Sequence, residues 1–404
     1  MAHLLSALRP LVHVLDAPSR SRLASAVNVA DLRLCARARA HKMVFDYIDG
    51  GADDEIALSR SRSAYEDLEL HYNVLSGHGT VDLKTELFGH TLSSPFFCAP
   101  TAGQRMFHRD GEAAAATVCA ENNMLFCLSA LGTTGLDEIA ATNDGPKLLQ
   151  LYLWKDRALV RDVLQRAKEA GFTSLALTAD TSWFGNRERD PRNGFTVPPN
   201  YSAQQVLAAI ARPAWSLDYV IQEPVRFAVA GSDAPAEALS AYFNSMMSKD
   251  YSWADAEWLL GEWNGHTALK GVCRPEDAQR AAQMGFDAVW VSNHGGRQLE
   301  TSPPTVELLP AMREAVGPDM PLIVDGGVTR GTHVAKALAL GATAVGVGRA
   351  YLYGLAAGGT PGVRKAVDVL NRELEVALGL LGVASVEELR RRGPELVRRS
   401  KARV

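Results

Sequence analysis

One heptad, Ser292-Asn293-His294-Gly295-Gly296-Arg297-Gln298, concentrates the side chains best suited to chemistry. A histidine removes a proton near neutral pH, and a guanidinium forks onto a carboxylate. Asp180 ends another apolar run, and a carboxylate there would stabilise the imidazolium formed by proton transfer. Lys270 ends a third run and suits either a fixed positive charge or a Schiff-base amine. Asp325-Gly326-Gly327 and Gly346-Val347-Gly348-Arg349 are glycine-rich turns whose amides can approach a phosphate closely.

These residues need a scaffold that brings distant segments to one place. Eight apolar runs of strand length recur: 96–102, 124–130, 148–154, 174–180, 267–272, 288–294, 321–327 and 344–349. Helix-like stretches separate most of them, among them 157–170, 275–284 before Gly285, and 331–340 before Gly341. The pattern predicts an α/β fold, a (β/α)8 TIM barrel, with an N-terminal helical cap and a long loop after strand 4. An open doubly wound sheet is the alternative. In such a barrel chemistry sits at the C-terminal strand ends. Here those ends carry Pro100-Thr101-Ala102, Ser129, Gln150 with Tyr152, Thr178 with Asp180, Lys270, Ser292 with His294, Asp325, and Gly348-Arg349. That convergence favours an enzyme. Gln150, Thr178 and Ser129, with Lys270, suit a flavin ring, and the turns after strands 7 and 8 suit its phosphate.

Residues 1–30 read as an N-terminal extension, 31–95 as the cap, 96–382 as the barrel and 383–404 as a basic tail. An insertion at about 187–260 fills much of the roughly 90 residues between Asp180 and Lys270, with Pro198-Pro199-Asn200, Arg212-Pro213-Ala214-Trp215 and a small-residue stretch at 228–234. The tail arginines, Arg390, Arg391, Arg392, Arg398 and Arg399, read as a solvated helix face rather than a docking surface. The 404 residues are 47% hydrophobic, with a formal net charge of -4. That balance excludes disorder and argues against a nucleic-acid partner. Five cysteines without a Cys-x-x-Cys pair suggest neither a disulfide framework nor a metal site. No apolar run is long enough to span a bilayer. Cytoplasm is the expected compartment, with a membrane periphery or an organelle as alternatives.

Taken in order, Lys42-Met43-Val44-Phe45-Asp46-Tyr47, Ala99-Pro100-Thr101-Ala102, Gln150-Leu151-Tyr152, Leu177-Thr178-Ala179-Asp180, Leu269-Lys270-Gly271, the heptad with Leu299, Asp325-Gly326-Gly327 and Gly348-Arg349 carry a resemblance. From about Asp31 to Gly382 the chain resembles the FMN-dependent L-2-hydroxy acid oxidases and dehydrogenases. The resemblance implies oxidation of a 2-hydroxy acid to the 2-keto acid, with FMN passing electrons to oxygen or to a quinone or cytochrome. It implies His294 as base with Asp180 as partner, and Arg297, assisted by Arg187, as carboxylate ligands. Tyr47 and Tyr152 would hydrogen-bond the substrate. Pro100, Thr101, Ala102, Ser129, Gln150, Thr178, Lys270 and Ser292 would line the flavin. Asp325, Gly326, Gly327, Gly348 and Arg349 would hold ribityl and phosphate. A homo-tetramer is also implied, and in membrane-bound relatives the long loop meets the bilayer. Here that loop is neither strongly basic nor continuously apolar and reads as a surface cap.

Two positions depart from the family pattern. Thr329 stands where an arginine usually meets the phosphate, which leaves Arg330 with Arg349 to substitute. Leu131 stands where short-chain glycolate oxidases have tryptophan, leaving room for a larger substrate of the lactate or mandelate type. The alternative from another reaction class is a Schiff-base aldolase built on Lys270.

Overall fold

A computed structural model of the chain describes residues 9–142, 144–195, 202–231 and 247–400. Eight strands form a closed, wholly parallel barrel. They are β1 (Phe96–Cys98), β2 (Phe126–Ser129), β3 (Lys147–Leu151), β4 (Ser174–Thr178), β5 (His266–Val272), β6 (Ala288–Val291), β7 (Leu322–Val324) and β8 (Ala344–Val347). Each lies inside or beside one of the eight apolar runs. The open-sheet alternative is excluded because β8 pairs with β1 through Val345 and Phe96, closing the ring.

Alternation along these strands sorts the core into two layers. Inward residues Phe97, Cys127, Leu148, Ala176, Ala268, Ala288, Trp290, Ile323 and Ala344 fill the barrel with Leu87, Phe88 and Leu92. The latter three come from the antiparallel hairpin Thr85–Leu87 and His90–Leu92, which covers the N-terminal strand ends. Trp290, the largest side chain of this layer, meets Phe97 edge-on at 5.2 Å. A Cβ on Gly346 would lie 2.9 Å from the Trp290 ring. Gly346, read as a phosphate glycine, is therefore small first of all to admit this tryptophan.

Helices cover the outer layer. Asp156 caps Arg157–Glu169 by accepting from the Ala158 and Leu159 amides, and Gly285, at φ 101°, ends Pro275–Met284. The helix after β8, Arg349–Leu381, breaks at Gly358–Gly359. Helices Val29–Arg39, Lys42–Asp49 and Ile56–Glu66 lie ahead of the barrel. In the long insertion, helices Ala203–Ile210 and Pro213–Ile221 are described, while Pro198-Pro199-Asn200 and 232–234 lie outside the described residues. Pro213–Ile221 is anchored: Asp218 meets the buried Arg39 at 3.2 Å, and Trp215 donates to the Met106 carbonyl at 3.1 Å. The C-terminal segment folds back as helix Val386–Leu396 and strand Val397–Arg399, which pairs with Leu68–Leu70. Two of its arginines are committed to carboxylates, Arg392 to Glu388 and Arg399 to Glu307.

Candidate active site

The heptad leaves β6 through three consecutive left-handed residues, His294, Gly295 and Gly296, at φ 57°, 64° and 72°. This curl returns the chain under helix Ile56–Glu66, where a Cβ on Gly296 would stand 2.5 Å from the Leu58 amide. His294 itself occupies a backbone region that a non-glycine residue enters at a cost of order 1 kcal/mol or more. Its Nδ1 lies 3.1 and 3.2 Å from the two Asp180 carboxylate oxygens. Nε2 is thus the nitrogen left free, and the residue lines the cavity. Gly271, at φ 99°, makes room for Asp180, since a Cβ there would lie 2.6 Å from its carboxyl carbon.

Burial presses the Asp180 carboxyl upward, but His294 and Lys270 outweigh it and hold the group below its ordinary value. Burial also holds His294 below the usual histidine value; Lys270 and Arg187 add to this against the pull of Asp180. An ionised carboxylate beside a neutral imidazole results, the state required of a general base. Lys270 donates to Ser292 Oγ at 3.1 Å and pairs with Asp325 at 3.3 Å. Ser292 Oγ donates to Asp325 at 2.6 Å and accepts from the His294 amide at 3.1 Å. Burial alone would lower the ammonium, yet Asp325 and Asp180 raise it above its ordinary value. A Schiff base needs a neutral, accessible amine, whereas Lys270 is tied to Asp325 and Ser292 and fits a fixed positive charge.

On the other side, register places Ser129 opposite Gln150, and Thr178 opposite Lys270. Ser129 Oγ donates to Gln150 Oε1 at 3.0 Å, and Gln150 Nε2 donates to Thr178 Oγ1 at 2.8 Å. The Leu131 amide donates to the same serine oxygen at 3.1 Å.

A cavity of about 790 Å³ opens over these strand ends. Of the residues expected at a site, Tyr47, Pro100, Thr101, Ala102, Ser129, Leu131, Tyr152, Arg187, Lys270, His294, Arg297, Asp325, Gly326, Gly327, Arg330, Gly348 and Arg349 line it. Gln150 and Ser292 stand behind them in direct contact with Ser129 and Lys270, Thr178 is bound to Gln150, and Asp180 is bound to His294. Arg297 lies 4.7 Å over the Tyr47 ring and donates to the carbonyls of Tyr47 at 2.6 Å and Gly50 at 3.1 Å. Burial, then Arg187 and Arg349, push it down to about 9. Arg187 donates to the Arg297 carbonyl at 3.4 Å. Among the described residues neither guanidinium has a carboxylate within ion-pair distance; backbone carbonyls hold them, which leaves their charge available to an added anion.

The glycine end is arranged differently. Arg349 donates to the carbonyls of Ile48, Gly295 and Gly50 at 2.9, 2.9 and 2.7 Å. Arg330 pairs with Glu373 at 2.7 Å. Thr101 Oγ1 is bound to the Tyr351 hydroxyl at 2.6 Å and to Gln104 at 3.0 Å.

The tertiary structure adds residues that sequence reasoning missed. Glu112 is fully buried and accepts from the Gln104 and Thr133 amides and the Thr133 and Thr134 hydroxyls, at 2.8–3.1 Å. It ties the loop after β1 to the loop after β2. Its signal was visible: one carboxylate in the apolar run Gly111-Glu112-Ala113-Ala114-Ala115-Ala116 has to be paired. Phe107 and Phe195 flank Tyr47 at 6.1 and 4.6 Å, with no local pattern to announce them.

Comparison with known proteins gives one family for most of the chain. The family model described as FMN-dependent dehydrogenase matches residues 36–396. A putative L-lactate dehydrogenase of Mycobacterium tuberculosis (strain ATCC 25618 / H37Rv) is 36% identical over 382 residues, covering 94% of this chain and 92% of its own. A 2-hydroxyacid oxidase of Dictyostelium discoideum is 36% identical over 370 residues, covering 91% and 90%. The crystal structure of a monotopic membrane protein, (S)-mandelate dehydrogenase, superposes with a TM-score of 0.89 at 32% identity, covering 93% of this chain and 100% of its own. The chain belongs to the FMN-dependent dehydrogenase family and is an oxidoreductase whose cofactor is FMN.

Proposed function

We propose that the protein oxidises an L-2-hydroxy acid with an apolar side chain of lactate to mandelate size to its 2-keto acid. The observation that carries this reading is the His294–Asp180 pair set beside two arginines without carboxylate partners. Arg297 and Arg187 bind the substrate carboxylate, and the Tyr47 and Tyr152 hydroxyls orient the carboxylate and the hydroxyl group. His294 Nε2 takes a proton from the substrate, and Asp180 stabilises the imidazolium that results. Leu131, Phe107 and Phe184 line the same cavity and supply an apolar wall for the side chain.

The residues present fit FMN. The Ser129–Gln150–Thr178 chain offers a fixed set of amide and hydroxyl groups, and Lys270 is a buried, charged ammonium of the kind that favours an electron-rich ring. Left-handed Gly326 and Gly327 bring backbone to the phosphate end. When bound, FMN would supply the acceptor for the electron pair released at the substrate α-carbon. The test is anaerobic mixing of the yellow protein with L-lactate, L-mandelate and longer L-2-hydroxy acids, followed by oxygen or a quinone. Bleaching with the L-acids is the expected result; a flavin that stays oxidised with all of them would remove the reading.

One observation extends it to a membrane surface. Helix Ala203–Ile210 buries no side chain, and its Val206, Leu207 and Ile210 are 51%, 65% and 68% exposed, with Val220 of the next helix at 62%. No helix among the described residues is long and apolar enough to cross a membrane. Such a face fits shallow insertion into a bilayer interface, with a quinone as acceptor. Co-sedimentation with phospholipid vesicles, lost in Leu207→Ser/Ile210→Ser, is the check.

A further inference from the structure

A bound FMN phosphate brings about two negative charges, which a low-dielectric seat has to neutralise. Of the two arginines at the glycine turns, only Arg330 is neutralised by a carboxylate, while Arg349 keeps its charge and is held by carbonyls. All three kinds of Arg349 nitrogen donate to backbone carbonyls, and Arg330 is paired with Glu373, which also accepts from the Gly331 amide at 2.9 Å. Thr329, where the family pattern has an arginine, contributes only a hydroxyl.

A different cation faces the same space. Helix Ile56–Glu66 presses on the phosphate turn so tightly that a Cβ on Gly327 would fall 1.9 Å from the Ser61 carbonyl and 3.0 Å from the Arg62 amide. Ser59, Arg62, Ser63 and Glu66 lie on one helix face and line the cavity together with Thr329. Among the described residues Arg62 is held only by Glu66, at 3.8 Å, and its side chain is 59% exposed. Its charge reaches the turn: His333, whose Nδ1 lies 3.3 Å from the Gly327 carbonyl, is pushed down to about 4 by burial, with Lys336, Arg62 and Arg330 contributing. By contrast Arg33, which lines the same cavity, is locked onto Asp49 by two hydrogen bonds of 2.5 and 2.7 Å.

We propose that Arg62, from the N-terminal cap rather than the barrel, joins Arg349 as the second arginine that binds the FMN phosphate in this chain. It exchanges a loose, exposed partner for a doubly charged one, and it stands in for the guanidinium that Thr329 does not provide. This rests on the FMN assignment and on no particular substrate.

Riboflavin, which has the same ring and ribityl chain without the phosphate, isolates the effect. Full-length apoprotein is titrated with FMN and with riboflavin, following quenching of flavin fluorescence. Arg62→Gln should weaken FMN binding by about 10- to 100-fold, the loss of one charge-assisted contact, and riboflavin binding by less than about 2-fold. Arg62→Lys should retain part of the preference, and Thr329→Arg placed in the Arg62→Gln background should restore it. Arg330→Gln should lower the FMN-to-riboflavin ratio less than Arg62→Gln does. A wild-type ratio in Arg62→Gln, an equal loss for both flavins, or a larger effect from Arg330→Gln would overturn the assignment. Wild-type protein that prefers FMN over riboflavin but oxidises no hydroxy acid would sink the proposed function instead, leaving these titrations to decide on Arg62.

Discussion

The two ends of the cavity are built on opposite principles. At the proton end the carboxylate, imidazole, ammonium and carboxamide have fixed partners: Asp180 on His294, Lys270 on Asp325 and Ser292, Gln150 on Ser129 and Thr178. At the glycine end the contacts are backbone amides, Arg349 on carbonyls, Arg330 on Glu373, and Arg62 on a loose tether. The difference follows from what each end has to do. A proton moves over a fraction of an ångström, so misplacement of its base is costly. A dianion is held by total charge and by donors, and it tolerates several arrangements of cations.

The sharpest way to break this contrast is at the base. His294→Gln should lower kcat by about 10³-fold while the protein still binds FMN, measured by steady-state turnover and the flavin spectrum. Loss of flavin together with turnover would mean that the two ends are not separable. Asp180→Asn should cost less, about 10²-fold, because the imidazole remains while its charged form loses its partner. The sign of the pH effect follows from the same pair. Asp180 is the main influence raising His294, so removing its charge lets the histidine fall further, and the acid limb of kcat/KM should move to lower pH. An acid limb that moves upward would contradict the pairing. The smallest effect is expected behind the site. Glu112→Gln replaces a carboxylate acceptor with a carboxamide and should destabilise the fold by about 1–3 kcal/mol, seen in denaturant unfolding. If it left stability unchanged, the tie between the loops after β1 and β2 would be dispensable.

The barrel was legible because a buried parallel strand announces itself as a short apolar run, and eight such runs at βα spacing leave few alternatives. The chemical residues were legible for a related reason, since a polar group at the end of such a run can only face the strand-end cavity. Asp180 and His294 were paired in this way across 114 residues, and the structure sets them 3.1 Å apart. Gly346 shows the limit. Its sequence context reads as a phosphate turn, but its size answers to Trp290, fifty-six residues away in sequence and in contact only once the barrel closes.

By itself, then, the amino-acid sequence determined the strands, the ring they close, and which strand ends carry the carboxylates, the imidazole and the ammonium. These properties are periodic or local, and each is written in consecutive residues. Only the tertiary structure decided how the charges are spent. It turned Arg349 onto carbonyls and Arg330 onto Glu373, buried Glu112 between two loops, and laid the helix carrying Arg62 across the phosphate turn. Charge pairing depends on distances between segments far apart in the chain, and no local pattern of residues encodes those distances.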